Sequence, residues 1–199
     1  MSKTLEFFFD FGSPASYLAW TQVPRIAREA GAQLIWRPML LGGVFKATGN
    51  QSPVMIPSKG AWMLRDLARF ASRYGVPMAF NPHFPINTLT LMRGAAGYQG
   101  SERFEHYVKT LFEALWVQQK NLSKPEVVAE VLSNAGFDLS EFEQLVSDEA
   151  VKERLKATTE EAIKRGVFGA PTFFIGQEMH FGQDRLDFVA EALAREPRG

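Results

Sequence analysis

The first residue that could do chemistry is Ser13, which stands in the sequence GSPAS directly after an apolar run. Serine is a common N-cap and proline suits the first helical position, so this stretch predicts the start of a helix. Backbone N–H groups at such a start favour negative charge, including that of a thiolate. The Ser13 hydroxyl could therefore donate a hydrogen bond to a thiolate and lower the pKa of its thiol. From these residues alone, a simple helix cap is the more common role.

The second candidate is Pro171, which precedes a strand-like run in the sequence GAPTFFI. Proline cannot donate to a sheet ladder, so it should lie at the first residue of a strand or in a turn. Bonds that precede proline are also the usual site of a cis peptide. A cis bond would leave the backbone of Ala170 free to pair with an extended peptide, whereas a plain strand-entry proline needs no ligand.

The sequence contains no cysteine. Disulfides, thiolate metal ligands and redox chemistry by a protein thiol are therefore excluded. No histidine lies near Ser13 in sequence to activate it as a nucleophile, so a thiolate at this helix start would have to belong to a ligand. The three histidines lack the spacing of metal ligands, and we predict no metal site.

The charge and hydropathy of the chain limit which other classes of partner, such as nucleic acid or a membrane, it is expected to bind. The 199 residues include 22 Lys plus Arg and 22 Asp plus Glu, so no net field would attract nucleic acid or an anionic membrane. No apolar stretch is long enough to span a bilayer, and the start MSKTLEFFFDFG lacks the layout of a signal peptide. We therefore expect a cytoplasmic protein without nucleic-acid or membrane partners.

The elements around both candidates form two groups. An apolar strand over 5–11, a helix over 14–30 that ends at a glycine, and a strand over 33–38 make a βαβ unit. Near the end of the chain, strands over 172–175 and 178–181 flank a Gly-Gln turn, and a helix over 184–194 follows. A βαβ and a ββα unit that share one sheet are the thioredoxin layout.

Between these groups the sequence has helical apolar spacing. Helices are predicted over 59–74, 88–98, 102–116, 124–134, 140–146 and 148–165. The expected fold is therefore α/β, with a thioredoxin-like domain from 1–38 and 167–199 and an all-helical insertion domain from 39–166.

Six strings spread over nearly the whole chain carry a family resemblance. In chain order they are FFFDFGSPASYLAW, RPMLLGGVFKATGN, PSKGAWMLRDLAR, FPINTLTLMR, GVFGAPTFFIG and FGQDRLDFV. Together they resemble the 2-hydroxychromene-2-carboxylate isomerases and their relatives, the kappa-class glutathione transferases, which have DsbA-like thioredoxin folds. The resemblance implies glutathione as cofactor and Ser13 as the catalytic serine.

The same resemblance implies where glutathione is bound. Its contacts would fall on these positions: Ser13, Asn50, Lys59, Ala170, Pro171, Phe181, Gly182, Gln183, Asp184 and Arg185. Lys59 could meet the glycine carboxylate, and Asp184 could accept the γ-glutamyl ammonium. Family members commonly carry Ser or Asn at the position of Gln183. Without the resemblance, Lys59 would be an exposed helix lysine and Asp184 an N-cap.

The resemblance also implies an activity. Isomerases of this family interconvert 2-hydroxychromene-2-carboxylate and trans-o-hydroxybenzylidenepyruvate in aromatic hydrocarbon degradation, by reversible addition of a thiolate to the substrate. A kappa-like transferase acting on other electrophiles is the alternative, and a non-catalytic peptide- or glutathione-binding module is a second class of function. A homodimer and a small aromatic carboxylate substrate are implied as partners. Candidates to contact that substrate are Trp36, Phe45, Trp62, Phe84, Phe168, Arg37 and Lys46, although core or surface roles are more common for such residues.

Overall fold

A four-stranded mixed sheet forms the centre of the computed structural model, which describes residues 3–195. The strands are β1 (Thr4–Phe9), β2 (Gln33–Pro38), β3 (Thr172–Ile175) and β4 (Glu178–Phe181). Their order is β2-β1-β3-β4; β1 pairs parallel with β2 and antiparallel with β3, and β3 pairs antiparallel with β4. This confirms the expected thioredoxin-like fold class, because both ends of the chain contribute strands to one sheet.

Nine α-helices surround the sheet within residues 3–195. They are α1 (Pro14–Glu29), α2 (Leu41–Thr48), α3 (Pro57–Tyr74), α4 (Leu89–Tyr98), α5 (Phe104–Trp116), α6 (Pro125–Asn134), α7 (Leu139–Ser147), α8 (Glu149–Lys164) and α9 (Leu186–Ala194). Short 3-10 turns cover Pro53–Met55 and Gln183–Arg185. No helix in this described part of the chain is long and apolar enough to cross a membrane.

Both faces of the sheet are covered, because successive aromatic residues of β1 point to opposite sides. On one face Phe7 stacks on Phe173, with ring centroids 5.2 Å apart, in the main core. On the other face Phe8 meets Phe174 edge-on at 5.6 Å and packs with Val44 of α2. Strand β1 is therefore apolar on both faces because helices cover both sides of the sheet.

Two boundaries predicted from the sequence differ from those of the structure, and one helix was missed. Strand β1 ends at Phe9 rather than at residue 11, because the Asp10 carboxylate accepts hydrogen bonds from the N–H of Gly12 in the next loop and from that of Leu41 at the start of α2. Helix α2 was not predicted, since its two glycines weaken the helical signal. The last helix begins at Leu186, because the preceding segment, predicted as its first turn, is a 3-10 turn.

The division into a sheet domain and an insertion domain stays a prediction. The main core runs without a break from Phe7 in β1 and Val189 in α9 to Phe112 in α5 and Leu155 in α8. Residues 196–199, which the predicted sheet domain includes, lie outside the described residues, as do residues 1 and 2.

Candidate active site

Ser13 caps helix α1 and is buried, with 4% of its surface exposed. Its Oγ accepts a hydrogen bond from the Ser16 N–H at 3.1 Å, as the sequence predicts for an N-cap. The same hydroxyl donates a hydrogen bond to the Ala170 carbonyl at 2.9 Å. The two candidate motifs, 157 residues apart in sequence, are therefore in direct contact.

Two backbone N–H groups beside this contact have no partner within residues 3–195. At the start of α1, Pro14 has no N–H and that of Ser16 is capped, which leaves the N–H of Ala15 as a free donor. The N–H of Ala170 also donates no hydrogen bond in this part of the chain. The Ala170–Pro171 peptide bond is cis. A ligand at Ser13 would therefore meet free donors from both segments.

Asp10 organises the loop that carries Ser13. This residue is 1% exposed, and its carboxylate accepts hydrogen bonds from the Gly12 N–H at 2.8 Å, the Leu41 N–H at 2.8 Å and the Thr88 hydroxyl at 2.7 Å. Its carbonyl accepts the Ser13 N–H at 3.0 Å. Burial raises the pKa of the Asp10 carboxyl above its ordinary value, and the three donated hydrogen bonds oppose that rise. Asp10 thus joins the starts of α1, α2 and α4 at one point.

The segment after β4 lies against the cis proline. The Gly182 N–H donates to the Pro171 carbonyl at 3.0 Å. Gly182 has φ 95° and ψ 144°, a conformation that is essentially reserved for glycine. A side chain at this position would also overlap with Oδ1 of Asp184. Glycine is therefore required here both by the backbone conformation and by the close approach of Asp184.

The other predicted residues of this turn differ in exposure. Gln183 is 4% exposed, and its Oε1 has no hydrogen-bond partner, while its carbonyl accepts from the Tyr74 hydroxyl at 2.8 Å. Asp184 and Arg185 are exposed, and Arg185 donates to the Phe181 carbonyl at 3.0 Å. Asp184 also borders a cavity of about 310 Å³ whose lining does not include Ser13.

Asn50 and Lys59 come from the segment after α2 and the start of α3. The Asn50 side-chain amide donates to the Phe168 carbonyl at 2.8 Å, two residues before Ala170. Lys59 is exposed and makes no ion pair or side-chain hydrogen bond within residues 3–195. The contacts therefore connect Asn50 to the cis-proline segment and leave Lys59 without a direct link to it.

The aromatic candidates for a substrate surface are dispersed. Phe168 lies nearest in sequence to Ala170 and packs on Phe181, with ring centroids 4.6 Å apart and 38% of Phe168 exposed. Trp36 instead packs in the core and borders a second cavity of about 460 Å³ whose lining lacks Ser13. Phe84 also packs in the core, against Trp116. Of these, only Phe168 is placed by its contacts at the cis-proline segment.

The cationic candidates also differ. Arg37 pairs with Glu6 at 3.4 Å and with Glu161, in a cluster that Arg165 completes, so its charge is already compensated. Lys46 lies exposed near the end of α2. Within residues 3–195, no three His, Asp or Glu side chains are close enough together to hold a metal ion.

Sequence reasoning missed Asp10 and Thr88 as parts of the site. Asp10 lies inside the apolar run over 5–11, and an acidic residue in a buried run is itself a signal that it has polar partners. Its contacts to residues 41 and 88 are long-range and leave no local pattern. The burial of Gln183 likewise depends on tertiary packing.

Comparison with known proteins agrees with this geometry. Residues 4–194 match the family of DsbA-like thioredoxin domains. The 2-hydroxychromene-2-carboxylate isomerase of Pseudomonas putida is 34% identical over 197 residues, which cover 96% of this chain and 94% of that protein. Glutathione S-transferase kappa 1 of Rattus norvegicus is 30% identical over 211 residues, with 99% of this chain and 93% of that protein covered.

A solved structure leads to the same group. The structure of a selenomethionine 2-hydroxychromene-2-carboxylate isomerase aligns with a TM-score of 0.85 and 34% identity, covering 96% of this chain and 95% of that one. The resemblance found in the six sequence strings is thereby confirmed. The chain belongs to the DsbA-like thioredoxin family, in the group that contains the 2-hydroxychromene-2-carboxylate isomerases and the kappa glutathione transferases.

Proposed function

We propose that this protein is a glutathione-dependent isomerase that interconverts 2-hydroxychromene-2-carboxylate and trans-o-hydroxybenzylidenepyruvate. The isomerase activity is supported by relatives of that name in Pseudomonas putida and Sphingobium xenophagum, which are 34% and 32% identical. The main observation that supports the use of glutathione is that Ser13 is a buried serine at a helix start, in a chain that has no cysteine of its own. In thioredoxin folds this helix start is where a thiolate is stabilised.

The groups around Ser13 fit a tripeptide thiol. The free N–H of Ala170 could pair with an extended backbone, and the unpartnered Oε1 of Gln183 could accept a ligand N–H. The exposed Asp184 carboxylate suits the γ-glutamyl ammonium, and the unpaired Lys59 suits the glycine carboxylate. The ammonium and the glycine carboxylate of glutathione thus each have an oppositely charged candidate on this chain.

Glutathione, when bound, supplies the thiol nucleophile that the chain lacks. The role of Ser13 is to donate a hydrogen bond to the sulfur, which stabilises the thiolate and lowers the pKa of the thiol. The start of α1 adds its dipole and the free N–H of Ala15 to the same effect. Asp10 acts on the substrate only indirectly, by holding the loop that positions Ser13.

The apolar part of the substrate would lie beside the cis-proline segment. Phe168 and Phe181 form an aromatic pair there, and Asn50 fixes the backbone at Phe168. A planar aromatic acid could pack on such a pair, because aromatic rings favour offset or edge-on contacts. Of the two cations that the sequence offers for the substrate carboxylate, Arg37 is already paired with Glu6 and Glu161, so Lys46 is the candidate.

The alternative activity is that of a kappa-like glutathione transferase acting on other electrophiles. Glutathione S-transferase kappa 1 of Rattus norvegicus, 30% identical over 99% of this chain, favours it. Both activities would use Ser13 and the same thiol. A cytoplasmic location and a homodimer remain proposals, the first from the sequence and the second from the family resemblance.

The deciding experiment supplies 2-hydroxychromene-2-carboxylate to the purified protein with and without glutathione. We expect isomerisation only with glutathione, and a loss of about tenfold in kcat for Ser13→Ala, because the lost hydrogen bond is expected to raise the thiol pKa by about one unit. Ser16→Ala is the matched control, since its hydroxyl has no hydrogen-bond partner within residues 3–195. No isomerisation at saturating glutathione would refute the isomerase, and conjugation of a general electrophile in its place would favour the transferase.

A further inference from the structure

The hydrogen bond between Ser13 and Ala170 sets a condition on how Ser13 can act. The Ser13 hydroxyl donates a hydrogen bond to the Ala170 carbonyl, with an Oγ-to-oxygen distance of 2.9 Å. A serine hydroxyl has one proton to donate. Ser13 therefore cannot donate to a ligand sulfur while it keeps its bond to Ala170.

Release of that bond has a consequence for Ala170. The residue is half-buried, and its carbonyl faces a serine of which 4% is exposed. An acceptor in such surroundings that loses its donor is unfavourable unless another donor replaces it. The Ser13 hydroxyl thus stays hydrogen-bonded to the Ala170 carbonyl until another N–H or O–H donor replaces it.

The adjacent backbone can receive a replacement. The Ala170 N–H donates no hydrogen bond within residues 3–195, and the ladder between β1 and β3 begins only at Thr172. Ala170 therefore offers a free donor and a carbonyl on the same residue, next to a strand. This is the arrangement to which an extended peptide adds by backbone pairing.

We propose that the Ala170 carbonyl couples recognition of a peptide backbone to activation of the thiol. An amide N–H of the ligand replaces the Ser13 hydroxyl as the hydrogen-bond donor to this carbonyl. The Ser13 hydroxyl then donates its hydrogen bond to the ligand sulfur. A thiol that has no amide N–H leaves Ser13 bonded to Ala170 and stays unactivated. The inference rests on the proposed use of glutathione and deepens it, because it makes selectivity for peptide thiols a property of activation as well as of binding.

The test observes the Ala170 carbonyl directly by NMR. Residues 170 and 171 form the only Ala-Pro pair in the sequence, so isotope labels on alanine carbonyls and proline nitrogens select this one peptide bond. The carbonyl chemical shift reports which donors it accepts. It is recorded for wild type, Ser13→Ala and the control Ser16→Ala, each alone, with saturating glutathione, and with 2-mercaptoethanol.

Without ligand, we expect wild type and Ser13→Ala to differ in this shift, and Ser16→Ala to match wild type. With glutathione the difference between wild type and Ser13→Ala should disappear, because a ligand N–H replaces Ser13 in both proteins. 2-Mercaptoethanol should leave the wild-type signal unmoved. A difference that persists in the glutathione complex, or a wild-type signal that 2-mercaptoethanol moves as glutathione does, overturns the coupling alone. If calorimetry shows no binding of glutathione, the proposed function fails as well.

Discussion

Replacement of Gly182 by alanine tests whether the turn after β4 positions the site. Gly182 has φ 95° and ψ 144°, and its N–H donates to the Pro171 carbonyl at 3.0 Å. A residue with a side chain is strained in this conformation by about 1–3 kcal/mol. The added Cβ also displaces the Asp184 carboxylate, which is exposed and can move at little cost.

The strain predicts the size of the effect. A loss of about 1–3 kcal/mol corresponds to a fall of roughly 2–12 °C in Tm for a chain of this length. If the turn bends to relieve the strain, the bond between Gly182 and Pro171 lengthens and Asp184 moves with it. We therefore also expect glutathione to bind at least about tenfold more weakly, a change of about 1.4 kcal/mol.

Gly31→Ala is the matched control for this variant. Gly31 has φ 63°, and no atom lies within 4 Å of a Cβ built there, so the substitution strains the backbone without a clash. Thermal unfolding and calorimetric titration with glutathione are measured for both variants. Gly31→Ala should lose stability and keep wild-type affinity. The reasoning is refuted if Gly182→Ala has the same Tm as the wild type, or if it binds glutathione as tightly as Gly31→Ala does.

Three further substitutions test buried contacts at Asp10 and in the core. Asp10→Asn should lower the free energy of unfolding by about 1–3 kcal/mol, because the amide NH₂ group would face a backbone N–H such as that of Leu41. Urea unfolding at neutral pH measures this change, and an unchanged free energy of unfolding would contradict it. Burial raises the pKa of Tyr17 from 10.0 to about 12, so its stabilising contribution is complete below pH 10 and is lost as the pH rises through 12. The stability difference between wild type and Tyr17→Phe should therefore shrink over that range, and a constant difference would be the contrary result. Gly94→Ala should cost about 1–3 kcal/mol, because its Cβ would overlap with the Tyr107 hydroxyl, and a wild-type Tm would exclude that overlap.

The sequence predicts the fold class because its signals are local and strong. An apolar run followed by Ser13 and Pro14 marks a strand and a helix start, and both appear in the structure. The contact between Ser13 and Ala170 could be expected only after the thioredoxin layout was assigned, since 157 residues separate them. Local residues alone leave Ser13 a helix cap, and the structure shows that capping and contact with the second motif coexist.

The parts that could not be predicted depend on tertiary contacts. Helix α2 contains Gly42 and Gly43 and would be weak in isolation. It forms because Val44 is buried beside the sheet and because the Leu40 N–H donates a hydrogen bond to the hydroxyl of Thr159 in α8. The acceptor role of Asp10 likewise requires three partners from distant segments. Such contacts between distant segments leave no pattern of residue spacing in the sequence.

The central claim is that Ser13 stabilises the thiolate of bound glutathione. It is tested most directly by titrating the thiol of bound glutathione, followed by the ultraviolet absorbance of the thiolate, in wild type and Ser13→Ala. We predict that the thiol pKa in the wild-type complex lies below that of free glutathione, and that Ser13→Ala raises it by about one unit, or roughly tenfold in the ionisation constant. The same pKa in both complexes would contradict the claim and leave Ser13 with the role of a helix cap.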